Sequence, residues 1–481
     1  MPNHPTTRPP DDRSYDAFGA RPHRLTNQEI PMRRSTSTAL VAALLATGVT
    51  PVLLTGPASA AVAKHYDDFN GDGRRDLAYG GYNDVDREGG TITVVYATAT
   101  GLDTAHPKFF HQDSAGVPGS GEEDDQFGAS LASADLNKDG YADLVVGNPT
   151  EHVDGDEYRG TVTVLWGSKS GLSGGSNLAP VGGAAGHFGR DLATGDFTGD
   201  GSPDLAVIGG EEAWLYRGPF TKSGTTGKVS KIDKSSGGWY STALGAGKVD
   251  GDGKTDLVVI GTEINGSQIR ERAWYLKGTS SGLATGASRT LSDRQEGLYP
   301  SPVIGDFDKN GYGDIALGVP DKDNGKGAVT IWRGTSSGPG TSVTLTQATS
   351  GVSGSPEADD NFGYAISAAD TNGDGYSDLA VGVPHEDVDG KADQGGVHVF
   401  RGGSGGLGGA RSSWIAQTAL GPADSHAAFG YTVRLRDLTA DGKADLAIGA
   451  ANSALLMRGT GTVPTKTGAI TLPELGGGFA D

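Results

Sequence analysis

An acidic signature recurs seven times along this chain, and nothing else in the sequence limits its fold so tightly. It reads Asp-x-[Asn/Asp/Thr]-x-[Asp/Asn]-Gly-x-x-Asp-[Leu/Ile], followed by a short apolar run. Its first positions are Asp68, Asp135, Asp196, Lys248, Asp306, Asp370 and Asp437, spaced 52 to 67 residues apart. A period near 60 residues describes an array of supersecondary units rather than one core with a decorated site.

The signature is also a candidate cation loop. Alternate side chains of a tightly curled loop converge on one point, and calcium takes six to eight oxygens from carboxylates, amides and backbone carbonyls. Positions one, three, five and nine supply side-chain oxygens, position seven a carbonyl, and Gly at position six permits the sharp turn. The resulting ligand sets are Asp68, Asn70, Asp72 and Asp76; Asp135, Asn137, Asp139 and Asp143; Asp196, Thr198, Asp200 and Asp204. The later ones are Asp306, Asp308, Asn310 and Asp314; Asp370, Asn372, Asp374 and Asp378; Asp437, Thr439, Asp441 and Asp445. An EF-hand is excluded, because it needs a bidentate Glu at position twelve and a following helix. Position twelve is Tyr79 in the first copy and Val146 in the second, inside runs such as Leu144-Val145-Val146-Gly147 that read as buried strands.

The loops rank by their ligands. Loops one, two, five and six carry Asp or Asn at positions one, three and five and should bind best. Thr198 and Thr439 give loops three and seven a weaker neutral ligand. Lys248 stands first in loop four, ahead of Asp250, Asp252 and Asp256. Its ammonium is expected where the ion would sit, leaving that loop empty or weak with its shape preserved.

Each loop belongs to a longer unit. Phe-Gly lies eight residues before four of them, as Phe127-Gly128, Phe188-Gly189, Phe362-Gly363 and Phe429-Gly430. Gly-x-Pro follows three of the apolar runs, at Gly147, Gly318 and Gly382. Alternating segments such as Thr161 to Trp166, then a Gly-rich turn and a further short strand, complete four strands per unit, one antiparallel blade.

These residues resemble the FG-GAP repeat, the unit of the integrin α-subunit head. The resemblance implies an all-β, seven-bladed β-propeller of four-stranded blades over residues 61–481. It also implies Ca2+ in the Asp loops and ligand contact on the opposite face. The third and fourth units depart from it, with Ile208-Gly209-Gly210 and Ile260-Gly261-Thr262 in place of Gly-x-Pro, and the fourth and first lack Phe-Gly. Phe479, near the end of the chain, is expected to pack against blade one and replace the missing Phe.

Bulk properties agree. The 80 glycines among 481 residues sit at repeated turn positions. The loops hold 21 of the 59 carboxylates, so bound calcium would offset much of the net charge of −20. No basic patch argues for nucleic acid. Cysteine is absent, which excludes disulfides, and calcium could substitute for them as the cross-link. Met32-Arg33-Arg34, the apolar Ala39 to Leu54 and Ala58-Ser59-Ala60 read as a secretory signal peptide over 32–60, cleaved after Ala60 or Ala63. Residues 1–31 read as disordered or as a mis-assigned upstream stretch.

Two Gly-x-Ser-x-Gly matches, Gly278 to Gly282 and Gly334 to Gly338, both follow the third strand of a unit and precede no helix, unlike a hydrolase elbow. The expected protein is therefore a secreted, extracellular, monomeric, non-catalytic recognition or adhesion propeller. It would bind a protein or glycan ligand and keep no membrane span once the signal is removed. A propeller-scaffold hydrolase or phosphodiesterase, or a sugar-binding lectin, is the alternative.

Overall fold

The apolar run after each Asp–Gly loop is a strand buried on both faces, because a neighbouring blade covers each side. In blade two, Asp143–Asn148 is buried throughout. It pairs antiparallel with Ser130–Ala134 on one side and Thr161–Trp166 on the other, placing Val146 opposite Leu131 and Val145 opposite Val164. The fourth strand, Ser173–Asn177, is the exposed outer edge. This computed structural model describes residues 63–480 apart from 82–88, 154, 157, 181–185, 233–237, 294–300, 420–424, 452 and 473–477. The expectations for residues 1–31 and for the 32–60 leader lie outside the described residues. Six four-stranded sheets follow a first sheet with three strands of its own, Leu77–Gly80, Ile92–Val95 and Lys108–Phe110. Together they form a seven-bladed β-propeller, as the repeats predict.

The two glycine motifs are halves of one contact. A Cβ on Gly147 would stand 2.0 Å from the carbonyl oxygen of Gly189, and one on Gly382 would stand 2.0 Å from that of Gly430. Thus the Gly of Gly-x-Pro in one blade touches the Gly of Phe-Gly in the next. The Phe-Gly glycines also have φ between +91° and +96°, where a side chain would be strained. The adjoining Phe127, Phe188, Phe362 and Phe429 are fully buried in the clusters that join consecutive blades. Between blades three and four, where the motif is lost, Trp239 fills the cluster, edge-on to Trp274 at 6.1 Å.

The chain end closes the ring. Gly80 N–H donates to the Gly478 carbonyl at 2.9 Å and Ala480 N–H to the Ala78 carbonyl at 2.8 Å. Phe479 bridges Tyr79 antiparallel, is 3% exposed, and meets the Tyr79 ring edge-on at 5.9 Å. The expected contact with blade one exists, with its register corrected. Phe479 holds the inner-strand place facing Tyr79, as Leu131 faces Val146 in blade two, and is not a displaced Phe-Gly residue. It still lies in the cluster between blades seven and one, with Leu77, Val95, Leu456 and Leu472. Residues 478–480 thereby cover the inner edge of a sheet that would otherwise have an open one.

A charged network reinforces this seam. Buried Asp67 accepts from Arg75 at 2.9 Å and pairs with Arg436, from blade seven, at 3.2 Å. Tyr66 lies under both guanidinium groups.

Candidate metal centre

The loops fold as their residue types demand. Short carboxylate and amide side chains accept N–H groups from their own backbone in turns. In loops one, two, three, five, six and seven, the first-position Asp accepts from both the fifth and sixth residues, at 2.6–3.3 Å. Asn70, Asn137, Asp308 and Asn372 at position three accept from the residue two further on. Position five repeats the turn, as in Asp139 to Tyr141 N–H at 3.2 Å and Asp374 to Tyr376 N–H at 3.0 Å. The side-chain oxygens thus line one wrapped loop whose donors suit a hard cation.

The ninth Asp does more than close the loop. In blade two, one oxygen of Asp143 accepts Leu136 N–H at 3.0 Å and the other accepts Gly167 N–H, just past the third strand, at 2.9 Å. Asp76, Asp314, Asp378 and Asp445 make the same two bonds. This carboxylate therefore staples the loop to its blade. A carboxylate has about four lone-pair sites, so two N–H bonds leave capacity for an ion. Desolvation by burial pushes these groups up, Asp76 and Asp143 to about 8 and Asp314 to about 7, with the charges of the other loop carboxylates adding to it. Such groups gain from a nearby cation.

The loops are also tied to one another. The eighth residue of one loop donates its N–H to the first-position carbonyl of the loop before it, as Ala142 to Asp68, Thr255 to Asp196, Gly313 to Lys248, Ser377 to Asp306 and Ala444 to Asp370. Loop three has Pro203 at that position, which lacks the donor. Anything that fixes one loop therefore bears on its neighbour.

Loop four keeps the staple, with Asp256 accepting from Val249 and Gly278 N–H groups, both at 2.9 Å. The cation in it is not Lys248, which is exposed. Lys277, on the third strand, bonds Asp250 and sits 3.2 Å from Asp252, while the Asp250 side chain has no exposed surface. Against the desolvation of burial, hydrogen bonds from Lys254 and Lys277 hold Asp252 below the ordinary carboxylate value. Lys277 was invisible to the signature because strand pairing brings it there, not sequence proximity. In other loops, cations meet partly exposed carboxylates, such as Lys222 at 3.1 Å from Asp139 and Arg333 at 3.5 Å from Asp308.

Both Gly-x-Ser-x-Gly segments are closed turns. Thr279 Oγ1 donates to the Gly282 carbonyl at 2.7 Å and Thr335 Oγ1 to that of Gly338 at 2.6 Å, as Ser168 does to Gly171 in blade two. The opposite face has its own features. Tyr158, 43% exposed, lies between His152 and His187, each ring centre 5.8 Å away. Tyr158 and His187 both hold positive φ. Acidic groups, two of them buried, also gather on that face. Among the described residues, Glu122, Asp125 and Glu151 bring ligand oxygens within 4.8 Å of one another, a spacing the loop carboxylates do not reach. No described helix is long and apolar enough to cross a membrane.

Known proteins share these repeats. The FG-GAP repeat family matches residues 127–165, 299–332 and 362–400, and the FG-GAP-like repeat family matches 196–259. Integrin alpha pat-2 of Caenorhabditis briggsae is 29% identical over 314 residues, covering 60% of this chain and 24% of that protein. Phosphatidylinositol-glycan-specific phospholipase D of Bos taurus is 31% identical over 253 residues, covering 50% of this chain and 29% of that protein. The chain thus spans about a quarter of the length of these relatives. A lectin of Agrocybe aegerita that recognises non-reducing terminal N-acetylglucosamine aligns with 82% of this chain and 89% of its own at 15% identity. Its TM-score of 0.45 is too low to inform either site.

Proposed function

We propose that this chain, an FG-GAP repeat protein resembling the propeller of integrin α subunits, is a secreted calcium-binding recognition module. It holds Ca2+ in its Asp–Gly loops and meets a protein or glycan ligand on the opposite face. The observation that carries the calcium reading is the common wrap of six loops around an acceptor-only first Asp, in contrast to loop four, where Lys277 supplies the positive charge. Calcium supplies a charge that lets buried carboxylates stay ionised; the residues themselves shape the loop and tie it to its blade and its neighbour. Each site adds about 1.4 kcal/mol to stability when free calcium is tenfold above its Kd. Six such sites would hold together a ring that has no disulfide.

The His152–Tyr158–His187 stack supports ligand contact on the far face, since exposed aromatic rings in fixed positions give contact area at low entropic cost. The activity of the phospholipase D relatives does not transfer through a match to under a third of their length. Thermal unfolding tests the calcium reading. The midpoint should rise with calcium and fall in chelator, and an unchanged midpoint after thorough chelation would remove calcium from the account. Binding to intact cells, with and without Tyr158→Ala, tests the ligand face; equal binding by both proteins moves the contact elsewhere.

A further inference from the structure

On the face opposite the Asp–Gly loops, we propose a second kind of divalent-cation site, formed by Glu122, Asp125 and Glu151 between blades one and two. Glu122 and Asp125 come from the connection into blade two, and Glu151 from the connection between its second and third strands. Three ligand oxygens from these residues lie within 4.8 Å of one another. Like charges so close need a counterion or a shared proton.

Asp125 supplies the independent sign of a missing ligand. It is 2% exposed, its Oδ2 accepts Glu122 N–H at 3.0 Å, its buried Oδ1 finds no donor, and the other partners of its side chain are the carboxyls of Glu122 and Glu151. A buried carboxylate oxygen without a donor costs desolvation energy that a cation would recover. The site is also built. Glu151 Oε2 accepts from Gln112 Nε2 at 2.5 Å and from Asn148 Nδ2 at 2.6 Å, and Asn148 in turn donates to Gln112 Oε1 at 3.1 Å. Two amides thus fix the buried carboxylate while Glu122 stays exposed, which leaves one side open for water or a ligand to complete the coordination.

The sequence pattern recurs between blades five and six, although there the three carboxylates do not come within 4.8 Å of one another. Glu357 and Asp360 stand in the same places before Phe362 as Glu122 and Asp125 before Phe127, and Glu386 follows Gly382 as Glu151 follows Gly147. Gln347 Nε2 donates to Glu386 Oε2 at 2.6 Å, as Gln112 does to Glu151. An oxygen-only, carboxylate-rich set selects a hard ion such as Ca2+ or Mn2+ over softer metals.

Crystals of the full chain grown in Mn2+ test this site separately from the loops. The expected result is anomalous density among Glu122, Asp125 and Glu151 that disappears in Glu151→Gln. Should that variant fail to fold, exposed Glu122→Gln serves instead, with density weakened or lost. Wild-type crystals with manganese in the Asp–Gly loops and none between these three residues would overturn the proposal. That result would assign the charge to a shared proton and leave the loop reading intact.

Discussion

Replacing Phe479 by alanine should destabilise the whole ring, although the residue stands third from the chain end. Its side chain is 3% exposed within the cluster between blades seven and one. Truncating a buried Phe to Ala costs about 3–5 kcal/mol through lost transfer energy and the cavity left behind. The backbone bonds of Gly478 and Ala480 to blade one remain in this variant, so the side chain alone is measured. Deleting residues 478–481 would also remove those two bonds, each worth roughly 0.5–1.5 kcal/mol, and would expose the inner edge of Leu77–Gly80. Urea unfolding followed by tryptophan fluorescence gives the comparison, with Phe109→Ala as control because Phe109 is 39% exposed. A Phe479→Ala midpoint equivalent to within about 0.5 kcal/mol of wild type, the range of surface substitutions, would show that the chain end does not lock the ring.

Three other outcomes follow from particular contacts. Gly402→Ala should destabilise by about 1–3 kcal/mol, since its Cβ would stand 2.3 Å from the Ser377 carbonyl oxygen; Gly405→Ala, with open space around it, should be near neutral in the same denaturation series. His398 is buried against Trp414, Phe362 and Phe400, and desolvation lowers it to about 3. The unfolded chain therefore takes up a proton that the folded one refuses, so this residue costs stability as pH falls from about 6.5 toward about 3, by up to about 1.4 kcal/mol per pH unit. Raised carboxylates act in the opposite direction, so the measurement is the difference in stability between wild type and His398→Phe, which should narrow or reverse in favour of the variant between pH 7 and pH 4. Lys248→Asp alone should add no tight calcium site in a calorimetric titration, because Lys277 still neutralises Asp250 and Asp252; the double change with Lys277→Ser should add one.

The signature and its period carried the fold, because every blade needs the same turn, the same doubly buried strand and the same glycine contacts. Phe479 was legible as a closing residue since the first unit visibly lacks a partner, while its register required the backbone pairing with Tyr79. Other features depend on pairing across strands and blades. The signature pointed to Lys248, yet strand pairing delivers Lys277 to loop four. It marked Asp143 as a ligand without its reach to Gly167, beyond the third strand. Glu122 to Asp125 form an acidic stretch in the sequence, but Glu151 joins it from another connection, and Asp67 meets Arg436 only when the last blade returns to the first.

Whether calcium occupies the Asp–Gly loops is decided by a crystal structure of the full chain grown in millimolar calcium. Density is expected at positions one, three and five in loops one, two, five and six, weaker density in loops three and seven, and Lys277 in place of an ion in loop four. Empty loops at that concentration, or an ion in loop four beside Asp250, would contradict that expectation.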